Sequence, residues 1–436
     1  MDNNNLNTEL QEEVVQQNIK STIFTSKIFK IGIVILILLV SFISYWLAKN
    51  ISLVNSYKDA VYPGAYILNK DLSNLTSTNL HDELISLVED ISNKKISVLV
   101  NNKTFDISYR DLDANINYEE LENQILSFGK SENFLVKLDL IKNPEKRDYS
   151  FEVLFNEEKL NNFVSDISNQ INYSPSDASI DISGGYINIH NDTDGLKLKS
   201  EELLNNIKAS IKDMNTPEVI EITGETEAVK ATITADSLKG VTGKISSFST
   251  IYKTGPSGTN LQLAANNIDN IIVMPGETFS TEKAIGPTTL ENGFVEANTY
   301  VGGQVVPGVG GGVCQVASTL YNTMLRAGII PTERQNHMMP VSYVDMGLDA
   351  TLADNLIDLK FVNDFDYPIV INTYAGGNTL VVEFWSNPSV TNGITYEPVA
   401  KKIDSLNAET YLCGYDSNGE LVINQRIDRS TYQPLP

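Results

Sequence analysis

The feature that most constrains the fold is an uninterrupted apolar segment near the N-terminus. Residues 31–48 read IGIVILILLVSFISYWLA and contain no charged side chain. A segment of this length is about long enough to cross a bilayer as a helix. Lys27 and Lys30 precede it, and Tyr45 and Trp46 lie near its far end, a pattern typical of a span with a cytoplasmic N-terminus. We therefore predict a single-pass transmembrane anchor at 27–49 in the cell membrane, with residues 50–436 extracellular.

A cleaved signal peptide is the alternative to a retained anchor. About 30 residues precede the apolar segment, which is long for the first part of a signal peptide, and no small-x-small cleavage site follows it. The anchor is therefore the preferred interpretation. Residues 1–26 are polar and are predicted to form a disordered cytoplasmic tail.

Length, charge and cysteine content limit the possible functions. The chain has 436 residues, too many for one ordinary core, so several domains are expected. A formal net charge of -23 gives no general attraction for nucleic acid, and no nucleic-acid partner is predicted. The two cysteines, Cys314 and Cys413, cannot form a disulfide framework. One disulfide between them is the alternative to two free thiols.

The order of predicted elements divides the extracellular part into an N-terminal and a C-terminal half. Residues 60–148 and 149–235 share a strand–helix–hairpin–helix order and are predicted to be two small α+β modules with a spacer or binding role. Residues 240–390 are predicted to form a mixed α+β domain with an antiparallel sheet. Residues 391–436 are predicted to add short C-terminal strands to it. The predicted fold class is α+β.

Cys314 follows a glycine-rich segment, GVGGGV at 308–313, and begins a helix predicted over 314–328. The positive end of a helix and its unpaired N–H groups favour a thiolate over a thiol. The thiolate is the nucleophilic form of cysteine. We therefore predict Cys314 as a catalytic nucleophile, with a small buried core thiol as the alternative.

The glycines before Cys314 predict a site for an oxyanion. Without side chains they allow a substrate to approach the backbone closely. The backbone N–H groups of Gly311, Gly312 and Val313 are candidate donors to the oxyanion of a tetrahedral intermediate.

His337 is the candidate general base for Cys314. It lies 23 positions further along, and the chain has only three histidines. A third group should orient its imidazole, and the candidates are Asp349, Ser342 and Asp358, which the sequence does not rank.

The remaining predictions for the site concern the role of Arg334 and the presence of a metal. The guanidinium of Arg334 could bind a substrate carboxylate, or it could form a structural ion pair with Glu333 or Asp349. Cys314 and His337 lack two further nearby Cys or His ligands, so no metal site and no cofactor are predicted.

The stretch from about 247 to 385 resembles a VanW domain, and residues of about 60–240 resemble the peptidoglycan-binding modules that precede such domains. The residues that carry the VanW resemblance are 266–268, 274–280, 310–322, 325–328, 333–334, 337, 340–344, 349–351 and 358–361. Members are linked to the Gram-positive cell wall, and some act as L,D-transpeptidases with a cysteine nucleophile. Members often have Pro-His-Ser where this chain has Asn336-His337-Met338, so no role for a following serine is carried over.

The resemblance implies a membrane-anchored L,D-transpeptidase that acts on peptidoglycan stem peptides in the cell wall. Cys314 would form a thioester with a tetrapeptide stem, His337 would serve as its base, and a second stem would resolve the thioester into a 3–3 crosslink. An L,D-carboxypeptidase and a cysteine endopeptidase of wall peptides are alternatives. A non-catalytic wall-binding or glycopeptide-response protein is the alternative from another class.

Overall fold

The computed structural model describes residues 4–212, 216–301 and 304–434. It divides into two compact units: unit 1 comprises residues up to Asn172 together with Lys197–Glu227, and unit 2 comprises Tyr173–Leu196 and the chain from Ala228 onward. Both units contain helices and strands, and unit 2 is built on antiparallel sheets. The α+β prediction is confirmed.

The N-terminal helix α1 runs over Asn4–Ser56 and includes the apolar segment. By length and composition it could cross a membrane, either as an anchor or as a signal sequence. In the predicted cytoplasmic tail at 1–26, residues 4–26 form the first part of α1, and residues 1–3 lie outside the described part. A helix that is already nucleated extends at little cost through Glu, Gln and Leu, which are good helix formers.

Unit 1 consists of short helices on small sheets. Helix α2 starts where the Thr76 side chain accepts the Asn79 N–H, and it buries Leu80 and Leu84.

Helix α4 was not predicted. The helices after α1 are α2 Ser77–Ser92, α3 Tyr118–Ser127, α4 Phe134–Lys142, α5 Glu157–Ile171 and α6 Ser200–Lys212, and the strands are β1 Ala65–Ile67, β2 Lys70–Asp71, β3 Lys95–Val100, β4 Lys103–Ser108, β5 Asn115–Ile116, β6 Arg147–Tyr149, β7 Val153–Leu154 and β11 Val219–Thr223. The chain passes between the units three times, after Asn172, within β10 (Gly195–Leu198) and within β12 (Thr226–Val229).

Strand pairing connects the two modules predicted at 60–148 and 149–235. Strand β11 pairs in parallel with β3, so both predicted modules contribute to one sheet. The hairpin predicted for the second module lies in unit 2 instead. Hydrophobic periodicity predicts individual helices and strands, but it does not predict which distant strands pair with each other.

Unit 2 contains the remaining elements. Its helices are α7 Ala235–Leu238, α8 Pro256–Ile268, α9 Thr281–Ile285 and α10 Cys314–Arg326, with one turn of 3-10 helix at Pro388–Thr391. Its strands are β8 Ser179–Ser183, β9 Tyr186–His190, β13 Gly243–Ile251, β14 Ile271–Val273, β15 Thr278–Ser280, β16 Glu296–Val301, β17 Gln304–Val309, β18 Lys360–Val362, β19 Ile369–Gly376, β20 Thr379–Ser386, β21 Thr395–Lys402, β22 Asn407–Tyr415 and β23 Leu421–Thr431.

A four-stranded antiparallel sheet, ordered β13-β20-β19-β14, is the framework of unit 2. Alternate residues of its strands point to opposite faces. On one face Ile371 and Phe384 pack with α10 in the main core. On the other face Val370 and Trp385 pack with Ile180 and other residues of the β8–β9 hairpin.

Helix α10 is enclosed on nearly all sides. Its apolar residues, among them Leu320 and Met324, are fully buried. Its polar residues are buried as well, and Thr319 and Asn322 donate to the carbonyls of the preceding turn and of neighbouring segments. Because the helix is packed on nearly all sides, its first residue, Cys314, is held in a fixed position.

The C-terminal strands form a separate antiparallel sheet, ordered β21-β22-β23. Leu412 of β22 joins the same core as α10, so this sheet is part of unit 2. The predicted short strands are in fact long ones, and this sheet brings residues 428–433 to the candidate site.

Candidate functional site

The glycine segment brings the chain closely around the start of α10. Gly312 has a φ of 108°, and a Cβ at this position would lie 2.3 Å from the carbonyl oxygen of Ser257. A Cβ on Gly311 would lie 2.4 Å from the carbonyl oxygen of Asn298. Only glycine permits this approach without displacement of the backbone. The chain therefore turns directly into Cys314, the first residue of the helix.

Cys314 is a free thiol in a polar setting. The Leu352 N–H donates to its sulfur at a distance of 3.4 Å, and the thiol lines the same cavity as the imidazole of His337. Burial raises the pKa of the thiol, but the hydrogen bond and positive charge of His337 outweigh burial and hold that pKa below its usual 9.0. Each group therefore favours the charged form of the other, the thiolate of Cys314 and the imidazolium of His337.

Asp349 is the carboxylate that orients His337. The Nδ1 atom of His337 lies 2.7 Å from Asp349 Oδ2, which leaves Nε2 of the ring for the thiol. Burial lowers the pKa of His337, but its contacts with Asp349 and with Cys314 raise it to about 9. Burial raises the pKa of Asp349, and hydrogen bonds from His337 and Tyr432 with the charge of His337 hold it below its usual value. Asp349 is thus a buried anion.

The remaining orienting candidates lie elsewhere. Asp358 accepts hydrogen bonds from the Ser280 hydroxyl at 2.5 Å and from the Glu282 N–H at 2.8 Å, at the start of α9. Ser342 is exposed and lines the same cavity as Cys314. No hydrogen bond joins Asp358 or Ser342 to His337 within the described ranges.

Arg334 is a structural residue. Its side chain is 3% exposed, and its guanidinium donates to the Asp349 carbonyl oxygen at 2.6 Å and to Asp428 Oδ2 at 2.6 Å. It also lies over the ring of Tyr321. These contacts occupy the planar fork, so a substrate carboxylate has no access to it, and of the two predicted ion-pair partners it is Asp349 that pairs with Arg334.

The candidate oxyanion donors differ in their availability. The Val313 N–H donates to the Gly310 carbonyl oxygen at 3.2 Å, so it is already engaged, which corrects its predicted role. The Gly311 and Gly312 N–H groups donate to no protein acceptor in the described part of the chain. They remain the candidate oxyanion donors, next to the thiol.

A cavity of about 740 Å³ contains the thiol and the imidazole in its wall. Lys253, Glu282 and Asp354 provide charged groups elsewhere in the wall. Thr351 also lines the cavity, and its hydroxyl is buried without a hydrogen-bond partner among the described residues. A cavity of this size matches the range for small-molecule and peptide sites. No group of metal-binding side chains occurs in the described ranges.

Three groups around the site were not predicted from the sequence. They are the Leu352 N–H, the Tyr432 hydroxyl and the Asp428 carboxylate. A backbone amide has no residue-type signature, and the other two reach the site from the last strand and the residues after it.

Two comparisons with protein families match separate parts of the chain. Residues 257–385 match the family described as "VanW like protein". This region includes Cys314, His337 and Asp349. The chain contains a VanW-like domain. Residues 105–219 match the family described as "Putative peptidoglycan binding domain".

Two curated relatives are similar to part of this chain. The "Uncharacterized protein YoaR" of Bacillus subtilis is 37% identical over 141 residues, which are 32% of this chain and 46% of that protein. The "Vancomycin B-type resistance protein VanW" of Enterococcus faecalis is 31% identical over 112 residues, which are 24% of this chain and 41% of that protein. The chain thus spans less than half the length of either relative. No solved structure matches it.

The comparisons support a coarse assignment. A VanW-like domain together with a peptidoglycan-binding match indicates a cell-wall-associated protein. The helix α1 is a possible membrane anchor or signal peptide for such a protein.

Proposed function

We propose that this protein is a peptidoglycan L,D-transpeptidase, a cysteine acyltransferase anchored in the membrane by α1. The observation that carries the proposal is that Cys314 and His337 line one cavity, with Asp349 buried behind His337 and 2.7 Å from its Nδ1 atom. This is the arrangement of nucleophile, base and orienting acid that acyl transfer requires. The peptidoglycan-binding match supports wall peptides as the substrate class.

The first half of the reaction forms a thioester. The Cys314 thiolate attacks the carbonyl carbon between the third and fourth residues of a tetrapeptide stem, and the carbonyl oxygen becomes an anion. The Gly311 and Gly312 N–H groups donate to that anion. The C–N bond then breaks, the protonated His337 gives its proton to the departing amine, and a terminal D-amino acid leaves.

The second half consumes the thioester. A side-chain amine of a second stem attacks the thioester carbon, and its proton passes to the neutral His337. The C–S bond breaks, and the sulfur leaves as the thiolate next to the restored imidazolium. The product is a 3–3 crosslink and the enzyme is unchanged. Water in place of the amine would make the same site an L,D-carboxypeptidase.

The test is a product analysis with the full-length protein in detergent. The protein, its Cys314→Ala variant and a Cys413→Ala control are incubated with a disaccharide tetrapeptide, and the products are analysed by mass spectrometry. We expect a dimer that lacks one D-alanine from the unmodified protein and from the control, and no dimer from Cys314→Ala. Release of D-alanine without a dimer would indicate the carboxypeptidase, and cleavage at another bond would indicate the endopeptidase.

A non-catalytic wall-binding protein is the second candidate, and the match of residues 105–219 to a peptidoglycan-binding family favours it. It predicts that the unmodified protein sediments with purified wall sacculi but changes no stem peptide. Binding without any product, with Cys314 shown to be a free thiol, would replace the enzymatic proposal.

A further inference from the structure

The carboxylate of Asp349 has two oxygens with different partners. Oδ2 lies 2.7 Å from the Nδ1 atom of His337. Oδ1 accepts a hydrogen bond of 2.5 Å from the hydroxyl of Tyr432 and a longer one, of 3.3 Å, from Nη2 of Arg334. That hydroxyl in turn accepts the Gly347 N–H at 2.6 Å. Tyr432 is 3% exposed, so its hydroxyl has no competing partner in bulk solvent.

The strand before Tyr432 holds the backbone of Asp349 through Arg334. Asp428 Oδ2 and the Ser430 hydroxyl accept from Nη1 of Arg334 at 2.6 Å and 2.8 Å. Nε and Nη2 of the same guanidinium donate to the Asp349 carbonyl oxygen at 2.8 Å and 2.6 Å. The side chain and the main chain of Asp349 are therefore both fixed from the end of β23.

The same C-terminal residues also contact the chain on both sides of His337. The Asn336 amide donates to the Thr431 carbonyl oxygen at 3.0 Å. The Gln433 N–H donates to the Met338 carbonyl oxygen at 2.6 Å. The segment 428–433 thus holds both the base and its orienting acid.

Such contacts matter because a general base works only in a narrow range of orientations. A carboxylate with one free oxygen can rotate about its Cβ–Cγ bond, and the imidazole then loses its fixed tautomer and direction. The short hydrogen bond from the buried Tyr432 hydroxyl, beside the longer one from Arg334, restricts that rotation and stabilises the anion.

We infer that Tyr432 is a positioning residue for the Asp349–His337 pair. We infer further that the sheet β21–β23 completes the catalytic unit, although the VanW match ends at residue 385. This inference rests on the proposed function. It assigns a role to a segment that lies outside the matched region.

The test compares Tyr432→Phe with Tyr411→Phe in the full-length protein. Tyr411 lies on the same sheet, and its hydroxyl donates to Glu409 at 3.0 Å, away from the site. We expect Tyr432→Phe to lower kcat for acyl transfer about 10-fold with KM unchanged, since a hydrogen bond to a buried charge is lost. Tyr411→Phe should keep both constants. Circular dichroism and thermal unfolding establish that each variant is folded at the assay temperature.

A second readout is independent of turnover. The Nδ1 proton of His337, held between nitrogen and carboxylate, gives a downfield resonance in 15N-histidine-labelled protein, and the His337→Gln variant assigns it. We expect this resonance to broaden or disappear in Tyr432→Phe and to persist in Tyr411→Phe. A folded Tyr432→Phe variant with unchanged kcat and an unchanged resonance would overturn the inference. If the unmodified protein makes no acyl product, the proposed function fails, and the resonance still decides whether Tyr432 positions the pair.

Discussion

His337 and Asp349 are joined by two hydrogen bonds to one oxygen. Asp349 Oδ2 accepts from the backbone N–H of His337 at 2.7 Å and lies 2.7 Å from Nδ1 of its ring. The main chain and the side chain of the histidine are therefore held by the same atom. Asp349 is fully buried, so neither bond competes with solvent. The imidazole is therefore held in one orientation, with its Nε2 atom left for the thiol of Cys314.

The first prediction concerns the two cysteines. We expect iodoacetamide at neutral pH to alkylate Cys314 at least 10-fold faster than Cys413, because the thiolate is the reactive form and Cys314 is paired with an imidazolium. Cys413 is 7% exposed on strand β22. Peptide mass mapping over a time course measures both rates. Equal slow labelling of both would contradict a nucleophilic Cys314.

The second prediction concerns pH. The thiol pKa is lowered and the His337 pKa is raised to about 9, so each group favours the charged form of the other below that pH. We expect the rate of acyl transfer to be flat near neutral pH and to fall as pH rises through about 9, where His337 loses the proton that the leaving amine needs. The measurement is kcat/KM against pH. A rate that instead rises through 6.5, the ordinary histidine pKa, would indicate a neutral thiol and a neutral base.

The third prediction concerns the mutual dependence of the pair. Contact with Cys314 is one reason for the raised pKa of His337. In Cys314→Ala that contact is absent while Asp349 remains. We therefore expect the His337 pKa to lie below its value in the unmodified protein, as measured by NMR titration of labelled histidine. A pKa that is the same in both proteins would show that Cys314 and His337 do not interact.

The fourth prediction concerns Arg334. Removal of this buried guanidinium leaves the buried Asp349 without its nearest permanent positive charge, so Arg334→Ala should lower the free energy of unfolding by about 3 kcal/mol. Arg426→Ala is the matched control. Arg426 forms an ion pair with Glu409 on the sheet β21–β23, but its side chain is 59% exposed. We expect that control to change stability by less than about 1 kcal/mol.

Urea unfolding measures this difference. The chain has two tryptophans, so a Trp46→Phe background leaves Trp385 of unit 2 as the fluorescence probe. A stable Arg334→Ala protein with a raised KM alone would restore the substrate-binding interpretation of Arg334.

The fifth prediction concerns the glycine segment. Gly312 and Gly276 both have a positive φ, of 108° and 78°, so alanine is strained at either position. A Cβ at Gly312 would lie 2.3 Å from the Ser257 carbonyl oxygen, whereas a Cβ at Gly276 meets no atom within 4 Å. Gly312→Ala should therefore cost clearly more stability than Gly276→Ala and should also abolish acyl transfer. Thermal unfolding and the product assay measure the two effects, and equal losses of stability would refute the close approach.

Several features could be predicted because they depend on neighbours along the chain. The apolar segment within α1 and the helix that begins at Cys314 follow from hydrophobic pattern and glycine placement. The hairpin turns at Asn101-Asn102 and Gly184-Gly185 follow from turn residues that tolerate a positive φ. Each of these signals is complete within a few turns of helix or one hairpin.

The partners in the site depend instead on distant segments. Asp349 and Asp358 are both buried carboxylates, yet one contacts His337 and the other accepts from Ser280 and Glu282 at the start of α9. Tyr432 reaches Asp349 only because β23 pairs with β22 and the sheet packs beside α10. The sequence alone thus determined the thiol, its glycine loop and the candidate base, whereas the tertiary structure decided which acid orients that base. The physical reason is that helix and turn formation depend on local backbone preferences, while the pairing of buried polar groups depends on which distant segments pack together.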